Sequence, residues 1–89
     1  MGWTVEIGAR AEKQLLKLDA ATRTRILNYL AERLEGCKDP RHFGEALKGD
    51  KAGGWRYRVG SYRLLCDIQD QRLILVVMAV GHRREVYRS

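Results

Sequence analysis

Apolar residues recur along this chain with two different periods, and the change of period separates its predicted elements. An alternating period of two near the start predicts a short, half-buried strand, carried by Trp3, Val5 and Ile7. A helical period follows in two blocks, and each block predicts an amphipathic helix. The apolar stripe of the first helix, over residues 9–18, is Ala11, Leu15 and Leu18. The stripe of the second helix, which ends before Gly36, is Ile26, Leu27, Leu30 and Leu34.

The second half of the chain returns to the strand period. Residues 36–54 hold the only proline and many charges, which predicts a long, ordered surface loop. Alternation resumes from Trp55 to Cys66 around Gly60 and Ser61, and this predicts a β-hairpin with a two-residue turn. Residues 72–80 are apolar on both faces, so we expect a central strand that is covered, at least partly, on both sides.

Together these elements predict a single α+β domain over residues 1–89, in the order β-α-α-β-β-β. An N-terminal strand and an antiparallel helical hairpin precede a mostly antiparallel three-stranded sheet, and a short basic tail closes the chain. We expect the helices to cover one face of the sheet and to leave the other face open. No apolar run approaches the ~18 residues of a membrane span, so the sequence predicts no membrane insertion.

The predicted hairpin separates aromatic from basic side chains. With Gly60 and Ser61 as the turn, Arg58 lies opposite Arg63. Alternation places the apolar and aromatic residues on the helix side, where core packing is the favoured interpretation: Trp55, Tyr57, Val59, Tyr62, Leu64 and Cys66. The open face receives Arg56, Arg58 and Arg63. Because like charges directly opposite each other destabilise a sheet, this face predicts an anion-binding surface, most simply for phosphate.

The overall charge agrees with that interpretation. A net charge of +6 and a pI of about 9.7 favour a polyanionic or acidic partner. The two cysteines, Cys37 and Cys66, lack a metal-ligand spacing and favour a reduced, cytoplasmic setting. Neither a phosphate-binding loop nor a dinucleotide motif is present, so we predict no metal and no cofactor. Arginine, tyrosine and histidine remain, and they suit phosphoryl chemistry in which a ribose 2′-hydroxyl attacks its neighbouring phosphate.

Two segments of the chain carry a family resemblance. The run from Trp55 to Leu64, followed by the run from Val77 to Tyr87, resembles the RelE branch of the RelE/ParE toxin superfamily. The segment 46–49, the leading strand and the helical hairpin resemble it as well, so the likeness covers nearly the whole chain. It implies a toxin of a bacterial toxin–antitoxin pair that cuts mRNA, typically in the ribosomal A site. The implied partners are mRNA, the ribosome and a cognate antitoxin, whose toxin-binding segment the positive charge predicts to be acidic.

The resemblance also implies a set of site residues. The positions that match the family's catalytic set are Arg56, Arg58, Arg63, Arg83 and Tyr87. The predicted RNA contacts are Lys48, which matches a basic loop residue, and His82. Some members have lysine where this chain has Arg56 and Arg58. Arginine has a pKa above ~12 and practically never releases its proton. These two residues are therefore predicted to clamp the phosphate, Arg63 and Arg83 to stabilise the phosphorane, and the general base is left between His82 and Tyr87.

Two other functions stay open at this point. The ParE-type branch shares the fold but poisons DNA gyrase and does not cut RNA. The presence of Arg58, Arg63, Arg83 and Tyr87 favours RNA cleavage over that alternative. A non-catalytic nucleic-acid-binding module would bind in a salt-sensitive manner and leave no cut products.

Overall fold

The computed structural model describes residues 2–47 and 54–82, which form two helices against one face of a mixed β-sheet. The first part of the chain runs through β1 (Thr4–Ile7), α1 (Ala9–Leu16) and α2 (Ala20–Tyr29), and a π-helical turn extends α2 over Leu30–Leu34. A short 3-10 turn follows at Pro40–His42. The remaining strands are β2 (Glu45–Ala46), β3 (Trp55–Val59), β4 (Tyr62–Gln69) and β5 (Ile74–His82).

The strand order within these residues is β1-β5-β4-β3-β2. β1 runs parallel to β5, and every other neighbouring pair is antiparallel. The α+β class and the predicted order of helices and strands are thereby confirmed. The edge strand β2 is an addition, because two residues are too short to show an alternating pattern in the sequence.

The helical hairpin forms as predicted, and Asp19 sets the point where its second helix begins. The Asp19 carboxylate accepts a hydrogen bond from the backbone N–H of Thr22 at 3.1 Å, which satisfies a donor that the first helical turn leaves open. The Thr22 hydroxyl donates to the same carboxylate at 2.6 Å. α1 ends at Leu16, two residues before the predicted end at 18. The short connection between the helices brings both apolar stripes onto the sheet.

The core lies between the helices and the apolar face of the hairpin. Its buried members from the helices are Ala11, Leu15, Ile26, Leu30 and Leu34. Those from the sheet are Tyr57, Val59, Leu64, Cys66, Leu75, Val77 and Val80. Core packing of Tyr57 is confirmed, and its hydroxyl donates to the Pro40 carbonyl at 2.8 Å. Trp55 is half-buried and donates its indole N–H to the Phe43 carbonyl at 2.6 Å. Both aromatic residues therefore hold the segment around Pro40 against the sheet.

β5 contains a β-bulge that changes which residues face the helices. Leu65 pairs with Ala79 and Cys66 pairs with Val77, so Met78 is the extra residue on β5. Met78 is 50% exposed, and the far face of β5 is therefore only partly covered. In the described residues, no helix is long and apolar enough to cross a membrane.

Candidate functional site

The β3–β4 hairpin has the register that the sequence predicted. Val59 pairs with Tyr62 and Arg58 pairs with Arg63. Gly60 adopts a φ of 60° in the turn, a left-handed conformation that glycine takes without steric cost. Since directly opposite residues share a face, the Arg58 and Arg63 side chains both leave the sheet on the side away from the helices.

The prediction of an open arginine face is wrong for Arg63, because this residue is only 5% exposed. Its Nη1 atom lies 3.4 Å from the Tyr62 carbonyl oxygen and donates to it. On its other side Arg63 pairs with Gly81 of β5, which is also buried and has no side chain to occupy the adjacent space. Arg63 is therefore a sheltered cation rather than a solvated one.

Arg56 is held by an acidic residue that the sequence analysis missed. Its Nη2 atom lies 2.5 Å from Oε1 of Glu45, the residue directly opposite on β2. The Arg56 side chain is only 18% exposed. An incoming phosphate must compete with this carboxylate for the guanidinium. The sequence offered no clear signal for the pair, because β2 has no pattern of its own that fixes its register.

Arg58 is the exposed member of the predicted phosphate clamp. β2 pairs only with Trp55 and Arg56, so Arg58 lies beyond the residues that β2 covers. It lines a shallow concave surface together with Arg25 and Arg33, which project from α2 and from the π-helical turn that follows it. The structure thus brings Arg58 close to basic residues of the helical layer.

His82 lies on the other side of the sheet. It pairs with Tyr62, and the two rings meet edge to face with their centroids 5.7 Å apart. Tyr62 packs against the core on the helix side. On the same side His82 lines a cleft with Gln14 of α1 and with Lys17, the residue that follows α1. The structure therefore does not bring His82 together with the pair Arg58 and Arg63.

Three predicted site residues lie outside the described residues: Lys48, Arg83 and Tyr87. Their roles stay predictions. Among the residues that the structure describes, no group of three or more histidine, cysteine or acidic residues could hold a metal ion. Burial raises the pKa of the Cys66 thiol well above its ordinary value of 9.0, and also raises that of Cys37, which disfavours the thiolate form of both.

Comparison with known proteins places this geometry in a family. A family model described as the ParE toxin of type II toxin–antitoxin systems, parDE, matches residues 5–87. The chain therefore belongs to the RelE/ParE superfamily of type II toxin–antitoxin toxins. It is 31% identical to the toxin RelG of Mycobacterium tuberculosis over 88 residues, which are 99% of each chain.

Two solved structures share the fold. A chain of the toxin–antitoxin complex RelBE2 from M. tuberculosis matches with a TM-score of 0.84 and 29% identity, over 93% of both chains. The isolated RelE toxin of E. coli matches with a TM-score of 0.70 and 26% identity, over 97% of this chain and 92% of that one. The resemblance to RelE-like toxins is thereby confirmed.

Proposed function

We propose that this toxin is an endoribonuclease that cuts mRNA, in the ribosomal A site, and so inhibits translation. The observation that carries the proposal is the cross-strand pair Arg58 and Arg63. Like charges at directly opposite positions of a sheet are unfavourable, and a phosphate bound at the exposed Arg58 offsets that cost. Guanidinium groups also match phosphate oxygens in a bidentate geometry. The kinship with toxins named RelG and RelE supports RNA as the source of the phosphate.

The proposed reaction uses the ribose 2′-hydroxyl of the substrate as the nucleophile. Its oxygen bonds to the adjacent phosphorus, and the bond to the 5′-oxygen of the next nucleotide breaks. The products are a 2′,3′-cyclic phosphate and a 5′-hydroxyl. Arg58 positions the phosphate, while Arg63 and Arg83 stabilise the negative charge that grows on its oxygens in the transition state.

The proton of the 2′-hydroxyl passes to a general base, and the leaving 5′-oxygen takes a proton from solvent water. His82 and Tyr87 were the two candidates for the base. His82 projects on the opposite face from Arg58 and Arg63. A base must lie within hydrogen-bond reach of the proton that it takes, so the position of His82 favours Tyr87 for this role. His82 and Lys48 are proposed as RNA contacts.

The proposed protein partner is a cognate antitoxin. The matching RelBE2 structure is a toxin–antitoxin complex, and a matching E. coli RelE variant is in complex with an antitoxin RelBc peptide. The net charge of +6 supports an acidic toxin-binding segment on that partner. We propose the cytoplasm as the site of action, because mRNA and ribosomes are found there, and we propose that neither a membrane nor a cofactor takes part.

Inhibition of DNA gyrase is the second candidate function, because the family model that matches residues 5–87 is named for ParE. A ribosome-programmed cleavage assay separates the two functions. Purified toxin is added to 70S ribosomes that carry a defined mRNA, and primer extension maps the breaks. Free mRNA and a gyrase supercoiling reaction are run in parallel.

We expect breaks within the A-site codon, and no inhibition of supercoiling. Arg58→Ala should slow cleavage by about tenfold or more, since it removes a cation next to the reacting phosphate. Arg72→Ala is the matched control, because Arg72 is exposed and, among the described residues, its side chain bonds only with Gln69 beside the β4–β5 turn. Inhibited supercoiling with intact mRNA would establish the gyrase function instead. Salt-sensitive RNA binding without breaks would identify a binding module.

A further inference from the structure

We infer that a groove on α2 extends the phosphate-binding region of the hairpin and binds RNA backbone phosphates that flank the site of cleavage. This α2 arginine groove is defined by Arg25, Arg33 and Arg58, with Asn28 and Gly60 between them. The choice of RNA as its ligand rests on the proposed function. The role of the groove goes beyond that function, because Arg25 and Arg33 belong to neither the predicted catalytic set nor the predicted RNA contacts.

The guanidinium of Arg25 lies against the β3–β4 turn. A Cβ atom placed on Gly60 would lie 3.0 Å from Nη1 and 3.3 Å from Cζ of Arg25. The guanidinium therefore rests against a turn residue that has no side chain, and a larger residue at position 60 would push it away. A cation that is already held in one direction loses less conformational freedom when it binds an anion.

Arg25 also separates two shallow concave surfaces. The lining of the first includes Thr22, Ser61 and Tyr62, whose side chains carry hydroxyl groups. The second contains Arg33, Arg58 and one carboxylate, that of Glu32. The positive charges outnumber the negative one in the second surface, and hydroxyl groups continue the polar lining into the first. A polar, positively charged groove of this kind suits a phosphodiester backbone.

The charges of the groove are not neutralised by ion pairs in the described part of the chain. Two other arginines of this protein do form ion pairs: Arg41 with Asp70 at 2.7 Å, and Arg56 with Glu45 at 2.5 Å. No carboxylate lies within 4.0 Å of the guanidinium nitrogens of Arg25, Arg33 or Arg58 among the described residues. Their nitrogen donors are thus available for phosphate oxygens.

Arg58 connects the groove with the proposed cleavage site. It pairs with Arg63 across the hairpin, and it lines the second concave surface beside Arg25 and Arg33. The Arg58 side chain leaves the sheet on the face opposite α2, but β2 pairs only with Trp55 and Arg56, so β3 is an uncovered edge at Arg58. We infer that one strand of nucleic acid rounds this edge, with one phosphate at Arg58 and neighbouring phosphates along the groove. The exposed apolar side chains Leu16, Leu27 and Met78 lie outside the lining of the groove.

The test compares two double charge reversals. Arg25→Glu with Arg33→Glu alters the groove. Arg10→Glu with Arg72→Glu changes the net charge equally at exposed positions outside it. Binding is measured over a salt series to a single-stranded 2′-O-methyl RNA oligonucleotide, which cannot be cut because its 2′-hydroxyls are blocked. Binding to 70S ribosomes by co-sedimentation forms a second arm, and it distinguishes message phosphates from ribosomal RNA phosphates. Binding to the cognate antitoxin forms a third.

The groove variant should bind RNA on the order of tenfold more weakly, and its salt slope should fall by roughly 0.7 for each lost phosphate contact. The RNA affinity of the control variant should stay within about twofold of the wild-type value. Loss in the oligonucleotide arm supports binding of the message. Loss in the ribosome arm alone overturns the inference and assigns the groove to ribosomal RNA. Arg25→Lys with Arg33→Lys keeps the charges and should retain most of the affinity. If the charge reversal fails to fold, Arg25→Gln with Arg33→Gln replaces it.

Equal losses of RNA affinity in the groove variant and in the control would overturn the inference. Unchanged RNA affinity in both variants would also overturn it. Weaker antitoxin binding with unchanged RNA binding would also overturn it and assign the groove to the antitoxin. Because the oligonucleotide cannot be cut, the result is independent of cleavage. If the wild-type toxin cuts mRNA and the groove variant binds RNA normally, this inference alone is contradicted. If the wild-type toxin does not cut mRNA but the groove variant binds RNA more weakly, the proposed nuclease activity alone is contradicted.

Discussion

Arg56 and Arg58 lie two positions apart on β3 and project from the same face, yet their surroundings differ. Glu45 holds the guanidinium of Arg56 at 2.5 Å, and only 18% of that side chain is exposed. Arg58 is exposed and lies opposite a second arginine. A phosphate that binds Arg56 has to compete with this carboxylate, whereas no described carboxylate lies within 4.0 Å of the Arg58 guanidinium. We therefore expect Arg58 to be the stronger anion ligand of the two.

This difference predicts that two alanine substitutions rank in opposite order for their losses of RNA binding and of stability. Arg58→Ala should weaken RNA binding roughly tenfold and leave the free energy of unfolding within about 0.5 kcal/mol, because the residue is exposed and faces a like charge. Arg56→Ala should weaken RNA binding less and lower stability more, since it removes the cross-strand partner of Glu45. RNA titrations and urea denaturation measure the two effects. A larger loss of RNA binding from Arg56→Ala would refute this ranking of the two residues.

At the scale of the elements, the β-bulge in β5 decides which side chains can meet. Before the bulge, Leu75 and Val77 face the helices; after it, Val80 does so. His82 follows Val80 by two positions and therefore projects toward the helix side as well. A regular strand would have placed His82 on the same face as Arg63. Nothing in an uninterrupted apolar run marks the position of a bulge, and the sequence therefore could not predict where His82 lies.

The hairpin register, in contrast, was predictable from local residues. Gly60 supplies the left-handed turn conformation, and alternation on both sides leaves one register that buries Tyr57 and Leu64 together. The burial of Arg63 was not predictable, because it depends on elements that are distant in the sequence. The pairing of Arg56 with Glu45 depends likewise on β2, whose two residues carry no pattern.

Tyr57 ties β3 to the 3-10 turn, and this contact gives a prediction at the same scale. Its buried hydroxyl donates to the Pro40 carbonyl at 2.8 Å. Tyr57→Phe should lower the free energy of unfolding by roughly 1 kcal/mol, because a buried carbonyl loses its donor. Tyr29→Phe is the control, since the Tyr29 hydroxyl makes no hydrogen bond within the described residues. Equal losses in urea denaturation from both variants would show that the Tyr57 hydroxyl contributes no stability of its own.

At the scale of the whole molecule, the helices and the core occupy one face of the sheet, and the basic side chains gather at the hairpin end of β3. The family relationship defines a toxin of a toxin–antitoxin system, and the fold is shared by RelE-like toxins. The arrangement of Arg58 between Arg63 and α2 is what favours a nucleic-acid substrate. A net charge of +6 strengthens the long-range attraction to any such polyanion.

The most direct test of the central claim is sequencing of 5′-hydroxyl RNA ends after brief expression of the toxin in bacterial cells. The wild-type protein should create new 5′-hydroxyl ends within translated coding regions as growth stops. The Arg58→Ala protein, at the same level, should create far fewer, and the Arg72→Ala control should match the wild type. Growth arrest without new 5′-hydroxyl ends would contradict the account.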